Sequence, residues 1–506
     1  MTDPQATFRS AVWNHAGKIL EYVLMYLTSI LIARGLGVQE NGAFVGLFSV
    51  SQFLLVLTSL GLEVSLNKHI PQLNGELKNE RLRYVIRRAL AVRVLVILGL
   101  VVVLLAALRF LSSLFSPLLS QYIWLLLAYT GIRSIVSVFA IALTAELETQ
   151  ATSLINVLTR VLEVVLIVLL IAGGITTMYV FVVFVCTATL QLGAYLIAAR
   201  GHLFGKEAYH SIVPIMMFGS IYWTNTVVEF FLGRQGDVLL LTMLLPDSSQ
   251  ASLYDVAFAV SQLASLSMTI GLGGITLATS ARLALRGPEL LERFYDFMIR
   301  VKSLLSIPLY AFILFNASSV LYVMYSSRYL AAGPLIQSIA AFRIVSRLFG
   351  GPENAEFLLS RSQVSRLVGI GIIGAVVNVG LDVLLIPTLG AMGAAVGSGL
   401  GNLVVNMLGA MSVYRSSSVR VQWQFWLKVS LATCIASLLC SVLIPHHNLV
   451  FVGLQTVAFV TLTLILLSFI KPLAKADAEW LLRVDKRFSA VLRYFVEVGN
   501  NVAAPT

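Results

Sequence analysis

Charged and amide side chains able to bind an anion or carry a proton lie inside the longest apolar stretches of this 506-residue chain. Asn14, Lys18 and Glu21 fall at i, i+4 and i+7, a spacing that stacks them on one helix face. Asn225 and Glu229 are four apart, and Arg234 and Asp237 follow them within the block VVEFFLGRQGDVLLLTMLL. Arg133, Arg160, Glu163, Asp255 and the pair Asn378 and Asp382 add to this set. An ionisable group in hydrocarbon is costly unless paired or hydrated, so each is a site hypothesis by default. Blander accounts stand beside these: a Lys18–Glu21 self-pair with Lys18 reaching out to the interface, and a structural Arg234–Asp237 pair. Gly233 and Gly236 flank Arg234 and predict a loosened helix there.

The elements that must position these residues are membrane spans. The chain is 58% hydrophobic and 12% charged, against about 25% charged for soluble domains. The apolar residues come in blocks long enough to cross a bilayer. About fourteen spans are expected, near 12–34, 43–65, 89–108, 119–143, 151–172, 178–199, 213–245, 252–278, 302–324, 331–350, 365–387, 391–413, 426–444 and 449–470. Alternate connections separate by charge. One set carries Lys78, Arg81, Arg83, Arg87 and Arg88, then Arg200 and Lys206, then Arg282, Arg286 and Arg293. The opposite set, among them GGITTM, LPDSSQ, IPTLGAM and IPHHN, is short and nearly free of Lys and Arg, with Arg34, Arg109 and Arg328 its main basic residues. The positive-inside rule places both termini in the cytoplasm, as an even number of spans requires. This bias also accounts for most of the net charge of +11. The N-terminus lacks the basic segment of a cleavable signal peptide.

The chain also repeats. Residues 43–62 and 253–272 align at an offset of 210, matching Phe48, Val50, Ser51, Gln52, Gly61 and Leu62 to Phe258, Val260, Ser261, Gln262, Gly271 and Leu272. Gln52 and Gln262 are then either symmetric hydrogen-bond donors to a ligand or interhelical glue. Residues 73–88 and 285–300 follow the matched spans and carry charges at helical spacing, as interfacial helices would. The expectation is an all-α integral membrane protein with two pseudo-symmetric six-helix lobes in the same orientation, 1–202 and 203–414. Two further spans fill 415–471, and a cytoplasmic amphipathic tail fills 472–506.

Catalytic and metal motifs are missing. There is no G-x-x-x-x-G-K-[ST] loop and no H-E-x-x-H. Cys186, Cys434 and Cys440 all sit in apolar segments and read as small hydrophobes. No nucleic-acid-binding pattern stands out.

Between the first two spans lies Ala33, Arg34, Leu36, Gly37, Gly42 and Phe44. Leu60, Gly61 and Leu62 follow, then Lys68, Ile70 and Pro71. The second half offers Asn378, Ile386, Pro387, Gly390, Gly393, Ala394 and Ala395. This pattern resembles the polysaccharide-transporter family of the multidrug/oligosaccharidyl-lipid/polysaccharide exporter superfamily, over about residues 8–470. The resemblance implies a flippase, not an enzyme, working in the inner membrane. It would move an undecaprenyl-pyrophosphate-linked oligosaccharide to the outer leaflet by alternating access, with glycosyltransferases and a polysaccharide polymerase as partners. No cofactor is implied beyond a coupling H⁺ or Na⁺. On this reading Lys18, Arg160 and Arg234 contact the headgroup. Asn14, Gln52, Asn225 and Gln262 serve the sugar, and Glu21, Glu229 and Asp237 are the ion-coupling candidates. A lipid II flippase and a drug/cation antiporter of the same superfamily are the alternatives. A membrane glycosyltransferase or polymerase would need long outer loops, and the outer loops here are short.

The charge asymmetry generates a topology prediction. Reporter fusions at Asn74, Gly287 and Gly351 are expected to report cytoplasm, and fusions at Gly174, Ser249 and His446 the outer side. Fusions at Gly174 and Gly287 reporting the same side would refute the fourteen-span arrangement.

Overall fold

Apolar segments too long for strands, with almost no Pro inside them, form helices. The computed structural model describes residues 4–73, 77–110, 117–146, 148–269, 273–443, 449–473 and 477. Its surface, rather than its apolar interior, differs from that of a water-soluble protein. Arg93 and Lys302 are each 1% exposed, while Leu95, Val102, Ile197 and Val442 stand two-thirds exposed or more. That distribution suits a surrounding solvent of lipid tails. Among the described residues, 12 helical segments are long and apolar enough to cross a membrane, making this a multi-pass membrane protein.

The chain divides into two compact units, Met1–Ser252 and Leu253–Thr506. In the first, α1 (Pro4–Leu36), α2 (Val38–Ser59), α3 (Leu62–His69), α4 (Lys78–Phe110), α5 (Pro117–Ala145), α6 (Thr149–Gly173) and α7 (Thr177–Ala198) are followed by a single turn, α8 (Arg200–Leu203). Next come α9 (Val213–Phe231) and α10 (Arg234–Leu244). α1 packs on α6, and α5 packs on α7 and α2. An aromatic cluster of Phe44, Phe48, Tyr129, Phe181 and Phe184 joins α2, α5 and α7. α9 and α10, which the sequence places in the 203–414 segment, pack against α3 and α2. Trp223 Nε1 donates to Val56 O at 2.8 Å, and Ser65 Oγ to Ile215 O at 2.5 Å. Lys68 Nζ sits 3.6 Å over the Phe218 ring.

The second unit contains most of α11 (Ser249–Thr269), then α12 (Gly273–Ala284), α13 (Pro288–Phe315), α14 (Ala317–Tyr325), α15 (Gly333–Ser346) and α16 (Pro352–Ser360). α17 (Val364–Leu389), α18 (Ala391–Ser416), α19 (Trp423–Leu443) and α20 (Leu449–Ile470) complete it. Asp247 caps α11. Ser249 Oγ and Ser249 N donate to its carboxylate at 2.6 and 3.0 Å and hold its pKa below the ordinary value. α17 and α18 meet through Gly393, Gly397 and Gly401, a small-residue stripe that lets the helices approach closely.

The element order repeats along with the sequence. α2 and α11 begin at Val38 and Ser249, α3 and α12 at Leu62 and Gly273, and α4 and α13 at Lys78 and Pro288. α6 and α17 begin at Thr149 and Val364, and α7 and α18 at Thr177 and Ala391. Every one of these offsets falls between 210 and 215 residues.

The structure corrects four details. The seventh span, read as 213–245, is not a single long helix: it is broken between Phe231 and Arg234. The eighth, read as 252–278, is described as α11 and α12 on either side of 270–272, which lie outside the described residues. Gly236 allows the break in the seventh to close: a Cβ there would lie 2.7 Å from Phe230 O. Second, the stretches expected as interfacial helices are the first turns of α4 and α13. Their apolar stripes, Leu82, Val85, Ile86 and Ala89 on α4, and Leu291, Tyr295 and Ile299 on α13, are buried in the protein rather than left to face lipid. Third, spans expected near 302–324 and 331–350 start or end elsewhere, as Pro288–Phe315 and Ser327–Ser360. Fourth, Gly351 lies inside that last segment, so the reporter position for this end moves to residues 361–363. The expected tail helix and Asn74 lie outside the described residues, apart from 472, 473 and 477.

Gly61 has φ 68°, and a Cβ on it would fall 1.9 Å from Gly219 O. Gly61→Ala should therefore destabilise the α3–α9 contact by at least ~1–2 kcal/mol. Gly99→Ala on α4, where a Cβ meets nothing within 4 Å, should be neutral or stabilising. Melting temperatures of the detergent-purified variants check the contrast.

Candidate functional site

Helical periodicity brings polar groups from five helices of the first unit to one cavity of about 360 Å³. α1 contributes Lys18 and Glu21, and α3 contributes Glu63. On α5, Arg133, Ser137 and Thr144 share a face with Val136 and Ala140. On α6, Thr149, Thr152, Ser153 and Asn156 follow at i, i+3, i+4 and i+7. α7 adds Gln191. Seven hydroxyl and amide side chains thus reach the wall, with two cations and two carboxylates beside them.

The charges fall into two sets. Glu63 is committed: Arg93 Nη2 donates to its Oε1 at 2.5 Å and Ser137 Oγ at 2.7 Å. The same guanidinium donates to Thr58 O at 2.5 Å, so Arg93 is buried with its charge matched. The other set is linked through amides. Arg133 Nη1 donates to Gln191 Oε1 at 2.5 Å, and Gln191 Nε2 donates to Asn156 Oδ1 at 3.0 Å. Tyr195 Oη donates to the same Asn156 oxygen at 2.8 Å, and Asn156 Nδ2 donates to Glu21 Oε2 at 3.4 Å. Among the described residues, neither Arg133 nor Lys18 has a carboxylate within ion-pair distance.

The expected site residues are not gathered in one place. Lys18 and Glu21 line the cavity. The Asn14 side chain lies outside the described residues. Arg160 is on α6 but closes an ion pair with Glu163 at 2.5 Å, and Glu163 also accepts from Thr187 Oγ1. Asn225 Nδ2 donates to Glu229 Oε1 at 2.8 Å on α9, where Glu229 is exposed. Arg234 opens α10, and Asp237, one turn on, is fully buried. Gln52 is half-buried on α2, and Gln262 is exposed on α11. In the second unit Asn378 and Asp382 are fully buried on α17 against Gly401 and Gly397.

A second charge cluster lies in that unit. Lys302 Nζ is 2.9 Å from Glu356 and 3.7 Å from Glu353, and Arg347 Nη1 is 3.2 Å from Glu353. Thr276 Oγ1 also donates to Glu356 at 2.8 Å. Two cations meet two carboxylates. The space beside Glu353 and Glu356 is about 10 Å³, room for little more than one water. The cluster ties α12, α13, the turn after α15 and α16 together.

With this geometry in hand, the family model for polysaccharide biosynthesis protein matches residues 7–273, more than half of the chain. The chain belongs to that family. The match spans all five cavity helices. No curated protein sequence matches the chain. Solved structures share the fold. A lipid II flippase MurJ in an inward closed conformation aligns with a TM-score of 0.73 at 14% identity, covering 91% of this chain and 98% of that one. An inward-facing multidrug resistance MATE family transporter of the MOP superfamily aligns at 0.66 and 16% identity, covering 79% and 94%.

Arg133 was visible in the sequence as an in-span charge but not as part of a site. Asn156, Gln191 and Tyr195 carried no motif. One signal was available: Arg133 and Arg343 are 210 residues apart, the offset that relates Gln52 to Gln262.

The second-unit cluster should behave as a structural element. Glu353→Gln leaves the buried Arg347 and Lys302 under-compensated and is expected to destabilise by about 3–5 kcal/mol. Thermal denaturation should show that loss. Transport per folded molecule should stay near wild type.

Proposed function

We propose that this protein is a flippase that moves a prenyl-pyrophosphate-linked oligosaccharide across the inner membrane, from the cytoplasmic to the outer leaflet, with both termini in the cytoplasm. The observation that carries this reading is the first-unit cavity: set among membrane-spanning helices, offering seven hydroxyl and amide side chains, and holding Lys18 and Arg133 without carboxylate partners among the described residues, in a polysaccharide biosynthesis family member. The cargo's difficulty is its headgroup, since sugars and phosphates lose their water in hydrocarbon. Hydroxyls and amides replace sugar hydration, and a cation replaces the counter-ions of the diphosphate. The prenyl chain needs no such help and stays in lipid. No covalent step is involved. Glycosyltransferases that build the cargo and a polymerase that consumes it are the partners this role requires.

Within this reading Lys18 contacts the headgroup. Asn14, Gln52, Asn225 and Gln262 serve the sugar, with Arg234 a second cationic contact where the seventh span is broken. Discontinuous helices in transporters mark substrate and ion sites. Arg160, closed on Glu163, contributes mainly to the packing of α6 against α7. Glu21, the cavity carboxylate not held by an arginine, is the leading candidate to couple an H⁺ or Na⁺ gradient. Glu229 and Asp237 are secondary candidates. The MATE-like fold and the presence of Glu21 favour one competing reading, a cation antiporter. A lipid II flippase remains the nearest variant of the main one.

Proteoliposomes separate these readings. The purified protein should move a labelled undecaprenyl-pyrophosphate oligosaccharide to the far leaflet, read by accessibility to an added glycosidase. Gradient-driven movement of a cationic dye without any lipid-linked sugar transfer would establish the antiporter instead. In the same assay Arg234→Asp combined with Asp237→Arg should stay inactive while Arg234→Lys keeps part of the rate. Restoration by the swap would reduce Arg234 to a structural partner of Asp237.

A further inference from the structure

Every other arginine whose side chain lies in the membrane-spanning part of the first unit and is described with an ion pair has a carboxylate: Arg93 has Glu63 and Arg160 has Glu163. Arg133 differs. It sits in the middle of α5, half-buried, on the cavity wall, and among the described residues its side chain donates to a neutral amide. A guanidinium in such a place retains its full charge and most of its N–H fork for something else. The amide that holds it is itself held. Gln191 Nε2 is committed to Asn156 Oδ1, so Gln191 can offer Arg133 only its oxygen. Asn156 Oδ1 is fixed in turn by Tyr195 Oη, and its Nδ2 points to Glu21. The donors therefore run one way, from Arg133 through two amides to Glu21. The cation is oriented without being neutralised. Across the cavity Lys18 adds a second unpaired cation, against Glu21 as the one carboxylate not held by an arginine, since Glu63 belongs to Arg93.

Resting on the flippase reading above, we infer that Arg133 is the diphosphate-binding residue of this cavity, and that Gln191, Asn156 and Tyr195 are positioning residues that keep its guanidinium open. The ligand chemistry is a diphosphate. The planar fork takes one phosphoryl oxygen pair, Lys18 takes charge on the second phosphoryl group, and Ser137, Thr144 and Ser153 face whatever sugar is attached.

The variant that isolates this role is Gln191→Glu. It places a carboxylate where Arg133 now has an amide, turning an open cation into a closed pair while keeping both side chains' size. A purely structural Arg133 would be as well served or better served by that change. The full-length protein in detergent is titrated with farnesyl pyrophosphate and with inorganic pyrophosphate, by calorimetry, and its melting temperature is recorded. Wild type should bind farnesyl pyrophosphate. Gln191→Glu and Arg133→Gln should each weaken binding by roughly ten- to hundredfold, with Arg133→Lys intermediate and the Gln191→Glu melting temperature unchanged or raised. Should Arg133→Gln fail to fold, Gln191→Glu still decides. Wild-type affinity in Gln191→Glu overturns the inference and leaves the flippase reading intact. Binding of inorganic pyrophosphate alone, equally sensitive to both variants, keeps the diphosphate role of Arg133 and overturns a lipid source for it. Failure of wild type to bind either probe removes the flippase reading, and this inference with it.

Discussion

Hydrocarbon offers a charge neither water nor counter-ion, so each charge carried into the membrane must bring its own solvation with it. The chain meets this demand mostly by pairing. Arg93 meets Glu63, Arg160 meets Glu163, and Lys302 and Arg347 meet Glu353 and Glu356. Glu63 and the acidic pair of α16 come from elements neighbouring their cations, while Glu163 lies one turn from Arg160 on α6; hydroxyls or carbonyls take up further donors, as with Thr58 O at Arg93 and Ser303 Oγ at Arg347. Such pairs hold helices in register because breaking one leaves a buried charge behind. The rest of the first unit then has to hold an exception, a cavity whose charges are not cancelled locally.

The repeat makes that exception more informative. The halves begin their elements at nearly constant offsets, and Arg343 of α15 stands 210 residues after Arg133 of α5. The groups around it have diverged. Matching helix starts puts Gly371 opposite Asn156 and Val405 opposite Gln191, so the amide relay belongs to the first half alone. The second half has invested its charges in a closed four-residue cluster with almost no free volume. Two copies of one scaffold thus handle the same electrostatic problem differently: one by cancellation, the other by keeping charge available.

Helix type and repeat were legible in the residues because they depend on local composition: apolar run length, Gly and Pro placement, and charge between runs. Residues 43–62 and 253–272 gave the duplication directly. Lys18 and Glu21 were legible too, since i and i+3 on one helix share a face whatever surrounds them. What was hidden depends on partners far along the chain. Arg160 looked like a binding cation until Glu163 and Thr187 closed around it. Arg133 looked like one in-span charge among several until Gln191, 58 residues on, proved to be its partner. The break after Phe231 was foreshadowed by Gly233 and Gly236. The stripes on α4 and α13 misled for a physical reason: an amphipathic pattern states that one face is buried, not whether protein or lipid buries it.

Using amides instead of a carboxylate to hold Arg133 has an energetic logic. In a low-dielectric wall an arginine–carboxylate pair is strong, and an incoming anion would have to displace the carboxylate before gaining anything. An amide oxygen orients the guanidinium through one hydrogen bond worth about 1.5–3 kcal/mol and leaves its charge for the ligand. The reverse requirement matters equally, because a carrier must also let go. Glu21, at the far end of the relay, keeps the local field from being purely positive, and Asn156 ties its position to that of Gln191. On the proposed flippase role, a cavity with two open cations and one open carboxylate would attract a diphosphate without trapping it. Its hydroxyls would adapt to sugars of differing stereochemistry. The charged part of the wall would then match what every such cargo has in common, and the neutral part what varies.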